Sequence, residues 1–219
     1  MKPNVPAGLL SNAEEQERSY KLRDLCQGAF LGTGLISVIS VEGEGRVQLT
    51  FREYNRARGD HPDLVRTMSA MMKKNVCLSS AHPLVAAVDK NLINTTALLQ
   101  YNPSQSRKES LNVVTFPNVE SPPVAILNGR LRVLATRTAF QALSSQREKL
   151  QVHINQLEEY FNDSEDRAIT PGDRRMKAKL NQAKDDHKNV QQTLKNIQFW
   201  PVYFYDEGLI TSSMGSPTF

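Results

Sequence analysis

The sequence predicts an α+β fold: a small mixed β-sheet with packed helices, followed by a C-terminal αα-hairpin. Three observations carry that expectation. Short runs with strand periodicity, "RVQLTFREYNR", "HPLVAAVD" and "PVAILNG", are interleaved with helical ones. The run "PDLVRTMSAMMKKN" between the first two has helical spacing. Beyond residue 143 two long segments repeat apolar residues every three or four positions. The chain therefore divides into an N-terminal helix and edge strand (1–45), a mixed core (46–142), a helical hairpin (143–199), and an aromatic strand with a polar tail (200–219).

Glu14 to Gln27 has helical composition, with Leu22, Leu25 and Cys26 on one side and Ser11 or Asn12 as candidate N-caps. In "GAFLGTGLISVISVEGEG", glycines at 28, 32, 34, 43 and 45 bracket the β-branched run Ile36 to Val41, which predicts a strand at an edge. Val47, Leu49 and Phe51 alternate with Gln48, Thr50 and Arg52, the pattern of a half-buried strand. A helix follows, with Asp60 or His61 at the N-cap, Pro62 at its first position, and Leu64, Met68, Met71 and Met72 as its apolar face, ending near Asn75. The apolar run after Pro83 stops at Asp89, long enough for a buried strand and too short for a helix. Residues 100–122 hold three prolines and many Ser and Asn, and predict a loop with at most one short strand between Val113 and Phe116.

"PVAILNG" then leads into a helix that starts near Leu131 and, with no proline to stop it, continues past Tyr160. Leu143, Leu150, Ile154, Leu157 and Phe161 form a seam along its second half. Thr170 and Pro171 supply the N-cap and first position of the last long helix, whose seam is Met176, Leu180, Ala183, His187, Val190, Leu194 and Ile197. Residues 171–199 contain seven Lys or Arg against three Asp, and 137–163 contain three against four Asp or Glu, so the basic helix faces a slightly acidic partner. "FWPVYFYDEGLI" predicts an aromatic strand returning to the body.

A chain of 219 residues with 39% hydrophobic content can bury a core, and a net charge of +4 permits anionic partners without requiring them. Cys26 and Cys77 are far apart and lack metal-ligand spacing, which predicts free thiols in a reducing compartment. The start "MKPNVPAGLLSNAEEQ" has no apolar signal region, and no apolar run approaches the ~20 residues of a membrane span. The expectation is an intracellular protein, cytoplasmic or nuclear, with no membrane partner.

One stretch raises a physical question. In "ILNGRLRVLATR", Arg130, Arg132 and Arg137 crowd the first two turns of the predicted helix. Cations there oppose the positive end of the helix dipole, at a cost of roughly 0.3–1 kcal/mol each. A strand leading through a glycine into a helix N-terminus is also a general anion site, because unpaired N–H groups point outward and Gly lets a phosphate approach the backbone. Arginines beside it would contact phosphate oxygens in forked geometry. The alternative is that all three are solvated or paired elsewhere.

"NGRLRVLA", preceded by an apolar strand, resembles the Gly-x-His-Arg-x-x-Ala or Gly-Glu-Arg-Arg-x-x-Ala box of the ParB/sulfiredoxin-like superfamily. The upstream order of strand, helix and strand is similar too, so the likeness covers roughly residues 46–142. "PNVPAGLLS" and "WPVYFYD" further resemble segments of large fungal proteins that carry such a domain. The resemblance places Gly129 at the motif glycine, Arg132 at the motif arginine and Ala135 at the small residue that lets the helix pack on the sheet. In that superfamily the box lies at the phosphates of a bound nucleotide, ATP or CTP with Mg, or near DNA. Together with the arginines of the stretch itself, this gives the candidate phosphate-binding set Asn128, Gly129, Arg130, Arg132 and Arg137.

This chain departs from the box where chemistry would be done. Leu131 stands at the His or Arg position, and leucine cannot donate to a phosphate, bind a metal or move a proton. Arg130 stands where sulfiredoxin chemistry needs a cysteine. The expectation is a catalytically degenerate module that recognises a nucleotide or a nucleic-acid backbone. The alternative is a structural or interaction protein that assembles, as a homo-oligomer, through the 143–199 hairpin. A hydrolytic or nuclease-like enzyme would need acidic metal ligands, for which Glu53 and Asp89 at strand ends are the candidates.

Other constellations carry less. His61, His82, His153 and His187 form no metal-ligand pattern, and His61 is explained by helix capping. Glu158-Glu159 and Asp185-Asp186-His187 read as solvated helix faces. Lys177, Lys179, Lys184 and Lys188 form a basic stripe that would suit a nucleic-acid backbone or simply the acidic neighbouring helix, and no aromatics interleave it for base stacking.

Overall fold

The computed structural model describes residues 27–39, 48–51, 61–74, 83–100, 111–116, 123–162 and 170–213. The helix expected over Glu14 to Gln27, both cysteines, His82 and Glu53 lie outside these residues, apart from Gln27 itself, which is helical. The fold is α+β, as the strand and helix periodicities predict. In chain order the elements are β1 (Phe30–Ser37), β2 (Gln48–Phe51), α1 (Pro62–Lys73), β3 (Leu84–Val88), β4 (Pro123–Asn128), α2 (Arg130–Asn162), α3 (Pro171–Gln198), β5 (Phe199–Asp206) and α4 (Glu207–Ser213).

The five strands form one mixed sheet in the order β1-β5-β3-β4-β2. β1 is antiparallel to β5 and β3 to β4, whereas β5 runs parallel to β3 and β2 parallel to β4. β1 and β5, from the two ends of the sequence, thus belong to the same sheet as the three strands of the 46–142 segment. β5 sits between β1 and β3 and so joins segments that the sequence division keeps apart.

β1 departs from its expected position. It spans Phe30–Ser37 and takes in Gly32 and Gly34, so that of the expected run Ile36 to Val41 it holds Ile36 and Ser37; Val38 and Ile39 follow its end, and Ser40 and Val41 lie outside the described residues. The reason lies at its outer edge, where Thr33 and Leu99 exchange backbone hydrogen bonds of 2.8 and 2.9 Å, and Leu35 does the same with Asn112 and Val114 at 2.9 Å each. These segments cover the edge so closely that a side chain at Gly32 would collide with Leu98, and one at Gly34 with Val114.

One apolar cluster unites sheet and helices. Trp200, Val202 and Phe204 of β5 and Leu84, Ala86 and Val88 of β3 meet Val133, Ala135, Ala139 and Leu143 of α2, with Met72 of α1 and Val190, Leu194 and Ile197 of α3. Burying each large side chain contributes about 1.5–3 kcal/mol. The inward face of α1 is rotated from the predicted one: Met72 is buried and Val65 and Met68 half-buried, whereas Leu64 and Met71 are exposed. Val65, Met68 and Met72 follow the same three-and-four spacing, one residue further round the helix.

α2 packs between α1 and α3. Past the sheet, Ile154 and Leu157 of α2 and Ala183 of α3 stay buried in a separate seam, so the hairpin projects beyond the main core. Its turn is closed by a capping box. Thr170 Oγ1 accepts from the Asp173 N–H at 3.2 Å, and Asp173 Oδ2 accepts from the Thr170 N–H at 2.7 Å. Tyr160 of α2 donates to Asp173 Oδ1 at 2.9 Å, which ties the end of one helix to the start of the other. α3 passes into β5 with no intervening loop, and a short helix, α4, takes up Glu207–Ser213 where a strand end and polar tail were expected.

Candidate functional site

The strand directions bring five strand ends to one edge of the sheet. β4 ends at Asn128; beside it are the C-terminus of β2 at Phe51, the N-terminus of β3 at Leu84, the start of β5 at Phe199 and the end of β1 at Ser37. The ladder between β3 and β4 slips here, from Ala86–Ile126 to Val85–Asn128, which leaves Leu127 as an extra residue. Such a bulge bends the end of its strand and re-aims the residues just beyond it.

The next residue is Gly129, at φ +110°, a conformation that L side chains rarely adopt. A Cβ here would collide with Leu84 Cδ2 and would stand 3.1 and 3.3 Å from Arg132 Nη2 and Cζ. Glycine is required twice over, by the backbone angle and by the guanidinium folded across it. Helix α2 then begins at Arg130, with its first intrahelical bond from Val133 N–H to Gly129 O at 3.0 Å. The N–H groups before Val133 have no partner four residues back within the helix, and the first turn carries no acidic residue.

The three arginines do not converge on one point; each reaches a different strand end. Arg130 places its guanidinium 5.7 Å from the centre of the Phe51 ring at the end of β2. Arg132 Nη1 donates to the Pro83 carbonyl just before β3, at 3.1 Å. Arg137 Nε donates to the Val38 carbonyl just after β1, also at 3.1 Å. The question posed by the sequence is thus partly answered within the fold. A hydrogen bond from a charged donor contributes about 1.5–3 kcal/mol, more than the ~0.3–1 kcal/mol dipole penalty it offsets. The guanidinium of Arg132 is half-buried, and burial pulls its pKa below the ordinary arginine value while leaving it cationic at neutral pH.

The residues of the candidate set therefore separate by environment. Asn128, Gly129 and Arg130 stand together at the turn, with Asn128 and Arg130 exposed. Arg132 lies beside them, turned toward Pro83, and Arg137 is one to two turns further along, committed to β1. Ala135 is completely buried in the core cluster. Asp89 does not join the group: because β3 runs antiparallel to β4, its C-terminus lies at the opposite edge of the sheet from Gly129. There Asp89 accepts from the N–H and the side-chain amide of Asn91, both at 2.9 Å, and shapes the turn after β3. His61 occupies the N-cap position of α1, but its side chain makes no capping bond.

Three contributors were not identifiable as such from the sequence. Phe51 was readable as an inward strand residue but not as the ring beneath Arg130. Pro83 contributes a carbonyl, which no side-chain pattern signals. Thr136 donates to the Arg132 carbonyl at 2.8 Å and approaches Met72 Sδ at 3.5 Å, joining the first turns of α2 to α1. Among the described residues no three His, Cys, Asp or Glu side chains gather as a metal site, and no helix is long and apolar enough to cross a membrane. No family model, curated protein or solved structure matches this chain.

Proposed function

We propose that the Asn128–Gly129–Arg130 turn is a phosphate-recognising element, serving a nucleotide or a nucleic-acid backbone, in a module of ParB/sulfiredoxin-like type that has lost catalysis. The observation that carries this reading is the placement of Arg130: exposed, braced over Phe51, and adjoining both a positive-φ glycine and the N-terminus of a 33-residue helix. Arg130 would contact phosphate oxygens together with backbone N–H groups of the first turn. Arg132 then positions the turn through Pro83, and Leu131 supplies no proton or metal ligand.

The test is a thermal-shift screen against ATP, CTP and GTP, each with and without Mg, using Arg130→Ala as the informative variant. A nucleotide at 100 times its Kd stabilises by about 2.7 kcal/mol, a readable shift. The expected result is one nucleotide that stabilises the wild type and leaves Arg130→Ala unmoved. Arg132→Ala is a poor control, because it also removes a bond that holds the fold together.

A second reading, a structural or interaction protein, is favoured by a specific observation: Arg132 and Arg137 both donate to backbone carbonyls of the sheet edge. On this reading the box shapes the turn, and assembly runs through the hairpin, where Val152 and Tyr160 are exposed. Failure of every nucleotide to shift the melting temperature, together with a concentration-dependent oligomer that Val152→Glu disrupts, would support it over the first.

A further inference from the structure

We infer that α3 carries a second anion-binding surface, independent of the Gly129 turn: a stripe of Arg174, Lys177, Lys184, Lys188 and Lys195 that lies along the phosphate backbone of a nucleic-acid duplex. The five cations are spaced at intervals of three, seven, four and seven residues, close to whole turns of an α-helix, so they share one face. All five are exposed. From first to last they span about 32 Å at 1.5 Å per residue.

The stripe is poorly neutralised by its own molecule. Lys184 pairs with Glu158 of α2, Nζ to Oε1 at 2.7 Å. Among the described residues no carboxylate lies within ion-pair distance of the other four. The carboxylates of α3 are placed elsewhere: Asp173 is buried in the capping box and Asp186 accepts from Gln182 at 2.9 Å, leaving Asp185 as the exposed one. Exposed amides at Asn181, Gln191 and Gln192 continue the same face, and these are side chains that donate to phosphates alongside Lys and Arg.

The same face lacks the groups that rival anionic partners would use beyond charge. No large apolar side chain of α3 is exposed, and its apolar seam is occupied by α2 and the sheet, so nothing remains to insert into a lipid surface. No aromatic is present to stack on unpaired bases. A rigid row of point charges with amides between them fits a regular array of phosphates.

The experiment is fluorescence anisotropy of the full chain with a labelled 24-base-pair duplex of arbitrary sequence, from 50 to 200 mM salt. With four to five phosphates neutralised, log K should fall against log salt with a slope of about −4. The variant Lys177→Gln/Lys188→Gln/Lys195→Gln should melt at the wild-type temperature, because all three side chains are exposed. It should bind more weakly and lose about 2.7 from the slope. Arg130→Ala should change the slope by no more than about one, which separates this surface from the turn. No duplex binding at 50 mM salt, an unchanged slope in the triple variant, or tighter binding to vesicles of anionic lipid than to the duplex would each overturn the inference.

Discussion

Arg132 and the Pro83 carbonyl, 49 residues apart in the chain, are joined by a 3.1 Å hydrogen bond that clamps the first turn of α2 onto the start of β3. The far side of the same guanidinium lies over Gly129, so the clamp and the glycine form one unit. Replacing Arg132 by Ala leaves a half-buried carbonyl without its charged donor. The expected loss in a urea titration is about 1.5–3 kcal/mol. Lysine keeps a charged donor but not the planar fork, so Arg132→Lys should fall between the two. A change under about 0.5 kcal/mol for the alanine variant, typical of an inert surface site, would contradict the clamp.

Gly129→Ala tests the other half of that unit. A backbone held at positive φ costs an L residue about 1–3 kcal/mol, and forcing a methyl against Leu84 adds about 1–3 kcal/mol of overpacking. The variant should be among the most destabilised single substitutions in the chain. In a double-mutant cycle with Leu84→Val the packing part should couple while the backbone part does not. Strict additivity would mean that the methyl never meets Leu84.

The hairpin turn supplies a test away from the site. Asp173 accepts from Thr170 through one oxygen and from Tyr160 through the other, so a single carboxylate holds both the cap of α3 and the end of α2. Thr170→Ala should cost about 0.5–2 kcal/mol, as loss of an N-cap does. Tyr160→Phe should cost about 1 kcal/mol, since the phenol is partly solvated. Asp173→Ala should exceed either, because it breaks both contacts. The check is urea denaturation of all three variants, with equal losses counting against the shared carboxylate.

Much of the fold was legible because its elements are locally consistent. Pro62, Pro83, Gly129 and the Thr170-Pro171 pair mark real boundaries, and the hairpin seam from Leu143 to Ile197 follows from three-and-four spacing alone. The strand order was not legible, since the insertion of β5 between β1 and β3 depends on pairings between opposite ends of the chain. The position of β1 escapes a sequence reading because Gly32 and Gly34 look like strand breakers in one dimension and become necessary only when Leu98 closes in on the first and Val114 on the second. At the candidate site the types of residue were readable and their partners were not. Arg132 and Arg137 donate to carbonyls, and a carbonyl is the same at every position of a sequence.

The second sheet face gives a pH prediction. Tyr203 and Tyr205 of β5 flank Phe30 of β1, whose ring centre lies 6.5 and 5.5 Å from theirs in edge-to-face geometry. Desolvation raises the pKa of the Tyr203 phenol above its ordinary value near 10, and the neighbouring Tyr205 raises it further. The folded state therefore keeps this proton at a pH where the unfolded chain has begun to lose it. By linkage the contribution to stability is intact below the unfolded pKa and declines as pH rises from there through the folded one. Carbon-13 NMR of ring-labelled tyrosine should show the Tyr203 resonance titrating at higher pH than an unperturbed phenol. Tyr205→Phe should lower that midpoint part of the way, removing the charge repulsion while Phe30 still excludes water from the ring. An ordinary midpoint for Tyr203, or one that Tyr205→Phe does not move, would show that the two phenols do not share this environment.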